Sequence, residues 1–243
     1  MRNLAFLTLI FPLASCGKSE LNWLILSPQN VEGLTNLKFL LSGLNTTMYI
    51  SIISIVISIL IGLLIAIPSL SKNKFLTYLN IGYVEIVRAI PLLVLILWIY
   101  YGLPIMTGIS FSPFVSGIIA LSISESAFQA EIFRAGINSI KKAQWEAGSS
   151  LGLGFFRKLR LVILPQAVKN ILPAIGNQFV YVLKMSSLVS IIGIGDLTRK
   201  ANELVVTTYR PLEIYTFLIL EYLVLILIVS YLVRRLEKKL QKD

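Results

Sequence analysis

The sequence predicts an all-α protein that crosses a membrane several times. Of its 243 residues, 56% are hydrophobic and only 14% are charged, and the mean hydropathy is +0.81. A soluble domain with this composition would aggregate, whereas membrane-spanning helices of about 20 apolar residues require it. Charged residues, proline and glycine divide the apolar sequence into stretches of spanning length, so we predict about five transmembrane helices.

Residues 1–16 have the features of a targeting segment. Arg2 forms a minimal basic region, and the apolar stretch Leu4–Leu13 is too short to span a bilayer. The sequence Leu13-Ala14-Ser15-Cys16 resembles the lipobox of bacterial lipoproteins, in which the cysteine is lipidated and becomes the new N-terminus. The alternative is an uncleaved apolar helix in the membrane interface, and the sequence leaves both open.

The remaining chain divides into three regions. Residues 17–44 mix apolar and polar side chains and are interpreted as an external amphipathic lead-in. Residues 45–236 form the predicted membrane domain, and residues 237–243 form a cytoplasmic tail. The five predicted spans lie at about Thr46–Pro68, Tyr83–Tyr100, Phe114–Phe133, Ile171–Ile194 and Ile214–Val233.

The distribution of basic residues predicts the orientation in the bilayer. With the N-terminus outside, fourteen lysine and arginine residues of the loops and the tail lie inside and five lie outside. The positive-inside rule favours this orientation, with a cytoplasmic C-terminus. Topology thus accounts for the net charge of +10, and we predict no nucleic-acid partner.

The residue types exclude several kinds of chemistry. The chain has no histidine and one cysteine, which removes catalytic triads, histidine metal sites and internal disulfides. Gly17-Lys18-Ser19 is not a P-loop, because Pro12 stands where the motif requires glycine. We therefore predict no catalytic residue, metal or cofactor in this chain, and the energy source must lie elsewhere.

The longest charged interruption runs over residues 138–165. Ile140–Glu146 contains good helix formers, Gly148–Gly154 supplies a break, and Phe155–Ile163 predicts a second helix. Leu164-Pro165 should end that helix, because proline cannot continue a helix interior. A helix-turn-helix of this kind is typical of a loop that binds a partner protein. An ordinary solvated connection between spans would be shorter.

This loop resembles the cytoplasmic coupling loop of bacterial ABC-importer permeases, whose pattern is Glu-Ala-Ala, three residues, Gly, nine residues, Ile, any residue, Leu-Pro. In that family the loop docks into a cleft of the ATP-hydrolysing subunit. Glycine replaces the second alanine, which costs up to about 1 kcal/mol of helix stability, so the first helix should end one turn early. The matching positions are Glu146, Ala147, Gly148, Gly152, Val162, Leu164 and Pro165.

The flanking segments Tyr83–Leu93 and Ala127–Ile137 resemble the polar-amino-acid subfamily of these permeases, with Phe128 where tyrosine is usual. The resemblance covers about Gly43–Lys239. It implies a type I importer permease fold and import of small polar amino acids across the bacterial inner membrane. The implied partners are an ATPase pair that binds ATP and Mg, a second permease copy or paralogue, and an extracytoplasmic substrate-binding protein.

Glu125 is the candidate substrate residue, about midway along the third predicted span. A carboxylate at that depth costs roughly 2.5–3.5 kcal/mol on insertion scales, so it should face the bundle interior. One interpretation is a structural pair with Lys184. The other is that Glu125 accepts hydrogen bonds from a cationic group of the amino acid, with a neutral contribution from either Ser124 or Ser126.

A proton-coupled secondary amino-acid transporter is the alternative function. Glu125, Glu131 and Glu221 would then carry protons. No inverted sequence repeat is visible, however, and the structured inner loop would have no purpose. Glu131 is also placed to pair with Arg134, three residues on. A membrane-embedded enzyme is disfavoured by the lack of histidine and of a nucleophile motif.

Overall fold

The computed structural model describes residues 22–69 and 74–240, and the regular elements in those ranges are all helical. The targeting segment 1–16, with Cys16, lies outside the described residues. Short 3-10 segments occur at Trp23–Leu26 and Ser186–Ile192, and π-helical turns occur at Trp98–Gly102 and Leu159–Ile163. The α-helices are α1 Val31–Ser69, α2 Lys74–Ala89, α3 Leu92–Leu97, α4 Leu103–Thr107, α5 Pro113–Asn138, α6 Lys142–Ser150, α7 Phe155–Lys158, α8 Leu164–Met185, α9 Leu197–Thr208 and α10 Pro211–Leu240.

The first predicted span is part of a longer helix. α1 has 39 residues and is therefore about 58 Å long, well beyond the thickness of a bilayer core. No break separates the lead-in from the span near residue 44. Gly43 lies in the helix because α1 passes close to another backbone there: a Cβ on Gly43 would lie 2.6 Å from the carbonyl carbon of Asp196.

The second predicted span is not one straight helix, contrary to the prediction. α2 ends at Ala89, and the helical segment from Leu92 to Thr107 leaves it at an angle of 91°. Pro91 has an extended backbone, with φ −61° and ψ 130°. A proline lacks the N–H that a helix needs and disfavours the helical conformation of the residue before it, here Ile90.

The third predicted span, α5, is the central helix of the fold. It packs against α1, α2, α3 and α8, and its buried side chains include Glu125 and Gln129. Among the described residues, three helical runs are long and apolar enough to cross a membrane, and the bent pair would make a fourth. α5 is not one of the three, because polar side chains that the protein itself covers lower its hydropathy.

The fourth predicted span continues directly from the loop, which corrects a second expectation. Phe155–Ile192 is one helical run, and Leu164-Pro165 does not end it. Pro165 lies in the first turn of α8, after the π-helical turn Leu159–Ile163. Because helix and not loop precedes Pro165, it is the π-helical turn that accommodates the proline, by widening the backbone where its ring would otherwise meet a carbonyl.

The last helices lie at the edge of the bundle. α9, which the sequence analysis did not predict, begins after the buried residue Asp196. α10 contains the fifth predicted span and packs mainly against α8 and α9. Most of its apolar side chains are exposed, including Ile219, Leu227 and Tyr231, as expected for a helix with an outer face toward lipid or a neighbouring subunit.

Candidate functional site

The loop between α5 and α8 contains the predicted helix-turn-helix. Leu153 donates its N–H to the carbonyl of Gly148 at 3.1 Å, and Gly152 donates to Ser149 at 2.9 Å. These two bonds form a Schellman motif, which requires a left-handed residue just after the helix. Gly152 supplies it with φ +69°, a conformation that is strained for residues with a Cβ.

Gly148 marks the contact between the two sides of the loop. α6 continues to Ser150, so the expectation that it ends one turn early is wrong. The side chain of Lys158 lies across Gly148, and a Cβ there would come within 2.7 Å of its Cγ. The Lys158 ammonium donates a hydrogen bond to the Ser149 hydroxyl. Glycine at this position therefore allows α6 and α7 to pack closely.

The inner side of the loop is joined to the membrane helices. The Trp145 ring stacks on Phe155, with centroids 6.2 Å apart and an interplanar angle of 22°. Trp145 also packs against an apolar cluster that connects the loop to α1, α5 and α8. Trp145 thus places α6 in contact with the apolar cluster that these helices share. The buried members of the cluster are Ala66, Phe133, Ile137, Leu159, Ile163, Ala167 and Ile171.

The outer side of the loop is free to contact a partner. Leu151 and Phe156 project from its tip with 76% and 74% of their surface exposed. Four of the seven pattern residues are exposed as well, whereas Gly148 is buried and Val162 and Leu164 are half-buried. The exposed ones are Glu146, Ala147, Gly152 and Pro165.

The Glu125 carboxylate is not paired with Lys184, the partner that the sequence suggested. Glu125 is the thirteenth of the 26 residues of α5 and is 1% exposed. It accepts a hydrogen bond from the side-chain amide of Gln178 on α8. Lys184 is exposed and makes no ion pair within the described part of the chain, so the Glu125–Lys184 pair is not present.

The serines beside Glu125 are buried, and Ser126 forms hydrogen bonds within the protein. Ser126 shares a 2.6 Å hydrogen bond with the Tyr83 hydroxyl of α2 and donates to the Ile123 carbonyl. Ser124 is also buried. A substrate in contact with Glu125, Ser124 or Ser126 would therefore need a conformation that opens the packing between α2, α5 and α8.

Two further acidic residues have local partners. Glu131 and Arg134 form the predicted ion pair, with Oε1 and Nη2 2.7 Å apart. Asp196 caps α9 and accepts from the backbone N–H groups of Arg199 at 2.9 Å and Thr198 at 3.3 Å. Burial raises the pKa of Asp196 to about 6, although these hydrogen bonds partly oppose the increase. The sequence signal was an aspartate immediately before a helical stretch.

Comparisons with known proteins agree on the class of molecule. The profile of the family described as "Binding-protein-dependent transport system inner membrane component" matches residues 58–242. The arginine transport system permease protein ArtQ of Bacillus subtilis is 34% identical over 86% of this chain and 96% of its own length. The glutamine transport system permease protein GlnP of Escherichia coli is 32% identical over 83% and 93%.

Solved structures show the same fold. A crystal structure of an amino acid ABC transporter with histidines has a chain that is 38% identical, with a TM-score of 0.81 over 90% of this protein and 99% of that chain. A chain of the MetNI methionine ABC transporter, 18% identical, reaches a TM-score of 0.75 over 85% and 98%. At that lower identity, the second likeness shows the fold alone.

The helices of membrane-spanning length and the structured loop between them define an integral membrane protein. Its family is identified by the profile match over residues 58–242 and by the relatives above 30% identity. The chain belongs to the family of binding-protein-dependent transport system inner membrane components, as the permease subunit of an ABC importer.

Proposed function

We propose that this permease subunit imports polar amino acids across the bacterial inner membrane. Permeases for arginine and glutamine are among its relatives over nearly their whole length, and an amino acid transporter shares its fold at 38% identity. Hydrolysis of ATP, with its Mg, takes place on a separate ATPase pair, and no covalent chemistry takes place in this chain. A second copy or a paralogue completes the membrane pathway.

The loop at residues 138–165 is the element that couples the ATPase to transport. The observation that supports this role is the combination of an exposed apolar tip with an inner side packed on three helices. When the ATPase pair closes on ATP, it moves Leu151 and Phe156 at the tip. The Trp145–Phe155 stack and the cluster beneath it transmit that motion to α1, α5 and α8.

The external side receives the substrate from a binding protein. Residues 17–44 form the external lead-in and residues 237–243 the cytoplasmic tail, with the N-terminus outside. Cys16 carries a lipid that anchors the mature N-terminus in the outer leaflet. Intact-mass measurement of the purified protein tests this assignment, and a chain that begins at Met1 with an unmodified cysteine would contradict it.

The central experiment is ATP-dependent uptake in proteoliposomes. The permease is reconstituted with its ATPase and binding protein and is supplied with a panel of labelled arginine, glutamine and histidine. We expect at least one of these amino acids to be taken up, and only when ATP is present on the side of the membrane to which the ATPase is bound. Uptake driven by a proton gradient without ATP would instead support the secondary-transporter alternative.

The coupling role is tested by a matched pair of substitutions. Phe156→Ser removes apolar surface from the loop tip and should weaken co-purification of the ATPase and reduce uptake. Met106→Ser changes an apolar residue that is equally exposed, at 74%, but lies at the end of α4, away from the loop. Equal loss of ATPase from both variants would show that the loop tip has no special role.

A further inference from the structure

A groove between α1, α8 and α10 lies on the surface of the bundle. Its volume is about 410 Å³. Isoleucines of α1 form one wall, Leu172 and Phe179 of α8 form the second, and Val233 and Leu236 of α10 form the third. Among the described residues that line the groove, Glu237 is the only charged one. An apolar surface of this kind on a membrane protein contacts either lipid acyl chains or another apolar helix.

The groove opens toward the outside of the bundle. A Cβ on Gly176 would lie 2.4 Å from Cγ1 of Val233, so α8 and α10 are in direct contact there. On the outer rim, Leu236 is 62% exposed and Ile52 is 43% exposed. An occupant therefore reaches the groove from the side on which the bilayer lipids lie.

The two helices that meet at the groove are antiparallel. Gly176 of α8 contacts Val233 of α10. Leu183, seven residues further along α8, belongs to the same apolar cluster as Leu225, eight residues earlier in α10. The last residues of α10 thus lie beside the first residues of α8, at the end of the groove that faces the loop at residues 138–165.

The length of the groove matches one leaflet of a bilayer. Phe179 lines its deep end, and Lys169, ten residues earlier in α8, lies at its loop-side end. Ten helical residues span about 15 Å, which is half of a hydrocarbon core of about 30 Å. An acyl chain that begins at the interface on the loop side would therefore end near the middle of the bilayer.

Two opposite charges lie at the loop-side end of the groove. Glu237 lines the groove on α10, and Lys169 precedes Leu172 by three residues, so it lies on the same side of α8. Lys169 is exposed and Glu237 is half-buried, and neither forms an ion pair with another described residue. An ammonium and a carboxylate that are not bound to each other are thus available to a ligand with both charges.

Further basic residues surround this end of the groove without lining it. They are exposed on α10 and create a positive field that attracts the phosphate groups of the membrane surface. They are Arg234, Arg235, Lys238 and Lys239.

We propose that the groove binds one molecule of phosphatidylethanolamine from the leaflet on the side of the coupling loop. One acyl chain lies along the isoleucines of α1 and reaches Phe179. The lipid phosphate accepts a charge-assisted hydrogen bond from the Lys169 ammonium, and the primary ammonium of the headgroup donates one to the Glu237 carboxylate. This site goes beyond the import of amino acids and does not depend on which amino acid is carried.

The pair of charges selects this headgroup among common phospholipids. Phosphatidylglycerol has no cation for Glu237 and would bring its own negative charge close to that carboxylate. The quaternary ammonium of phosphatidylcholine has no N–H to donate. Phosphatidylethanolamine supplies both a phosphate for Lys169 and a hydrogen-bond donor for Glu237.

The test weighs the lipids that stay bound to the permease–ATPase complex. The complex is stripped of lipid in detergent and titrated, under native mass spectrometry, with phosphatidylethanolamine, phosphatidylglycerol or phosphatidylcholine that have identical acyl chains. The wild type should bind phosphatidylethanolamine about 10- to 100-fold more tightly than the other two, as expected for a charge-assisted hydrogen bond. Lys169→Met and Glu237→Gln should each reduce this preference.

Two further variants separate the headgroup from the acyl chain and from the general positive field. Lys238→Met removes an exposed charge on α10 that does not line the groove, and it should keep the wild-type preference. Ile52→Trp fills the deep part of the groove from a position that is already exposed, and it should weaken binding of all three lipids.

The other occupants of the groove give different results. Equal binding of the three lipids by the wild type, or an unchanged preference in both Lys169→Met and Glu237→Gln, would overturn the proposal. Tighter binding of phosphatidylglycerol would show instead that the basic field alone attracts lipid. Absence of bound lipid, together with dissociation of the permease pair by Ile52→Trp, would show that a second copy of the chain covers the groove.

Discussion

At the scale of single residues, Glu125 shows how a carboxylate is kept inside the bundle. It is 1% exposed, and Gln178 is its hydrogen-bond donor. Glu125→Gln retains a polar group that can pair with Gln178, whereas Glu125→Ala leaves the Gln178 amide unpaired. The alanine variant loses this hydrogen bond and leaves a cavity at a buried position, so it should unfold at a clearly lower temperature than the glutamine variant.

The control for this prediction uses Lys184. Because Lys184 is not the partner of Glu125, adding Lys184→Met to Glu125→Ala should not restore thermal stability in detergent. Restoration by Lys184→Met would mean that the two charges interact after all. Uptake kinetics of a stable Glu125→Gln variant then decide its role, since normal kinetics would leave no substrate role for the carboxylate.

Asp196 offers a test of pH dependence. Burial raises its folded-state pKa to about 6, above its ordinary value of about 3.9. The folded state therefore favours the protonated form, and this stabilisation is complete below about pH 4 and is lost as the pH rises through 6. Between pH 5 and pH 7 the wild type should lose on the order of 1 kcal/mol of unfolding free energy from this group.

Asp196→Asn is the matched control for that pH dependence. Asparagine caps a helix about as well as aspartate but does not titrate in this range. Its unfolding free energy should therefore fall less than that of the wild type between pH 5 and pH 7. Asp196→Ala should be less stable at both pH values, because α9 loses its cap. Parallel pH profiles for wild type and Asp196→Asn would contradict the assignment.

The sequence predicted a side-chain partner that lies close along the chain but not one that lies far away. The Glu131–Arg134 pair follows from a spacing of three residues, which places both side chains on the same side of any helix. Gln178 is 53 residues from Glu125, and only the packing of α8 on α5 brings them together. Lys184 was the obvious partner for Glu125 because of its charge, yet the partner in the structure is the uncharged side-chain amide of Gln178.

At the scale of elements, two prolines have opposite effects. Pro91 separates helices that diverge by 91°, whereas Pro165 lies within a continuous helical run. The difference is the π-helical turn Leu159–Ile163, which widens the backbone just where the ring of Pro165 would meet the carbonyl of Leu161. Sequence patterns locate the proline, but they do not show which backbone adjustment precedes it.

The turn of the coupling loop gives a prediction with a built-in control. Gly152 has φ +69° and Gly154 has φ −64°, and a Cβ on either would meet no atom within 4 Å. Gly152→Val should therefore strain the backbone without any clash, whereas Gly154→Val should be tolerated. We expect loss of uptake and of ATPase co-purification only in Gly152→Val, with the permease still present in the membrane.

Asparagine at the same position separates conformation from bulk. Asparagine enters the left-handed region more readily than valine, so Gly152→Asn should retain much of the uptake that Gly152→Val loses. Normal transport by Gly152→Val would refute the role assigned to this turn. Equal loss in the valine and asparagine variants would indicate instead that the partner needs an empty surface at Gly152.

At the scale of the whole molecule, hydropathy alone gives an incomplete count of the helices that build the bundle. α5 is its most enclosed long helix, yet its polar side chains exclude it from the spans recognised by apolarity. The sequence predicted α5 because its boundaries follow from proline and charge. It also predicted that Glu125 faces the bundle interior, which its burial confirms. It could not predict which helices cover Glu125, Ser126 and Gln129, since that depends on the assembled bundle.

The orientation of the whole protein in the membrane follows from its basic residues. Fourteen basic residues of the loops and tail lie on the side of the coupling loop, against five on the other side, so that loop should be cytoplasmic. Single cysteines are introduced at two exposed positions, Ser150 in the loop and Thr207 near the end of α9. The chain without an added cysteine is the control for labelling of Cys16. A membrane-impermeant maleimide should label Thr207→Cys in intact spheroplasts and Ser150→Cys only after the membrane is opened. The reverse pattern would place the coupling loop outside, where an ATPase could not reach it, and would contradict both the topology and the coupling mechanism.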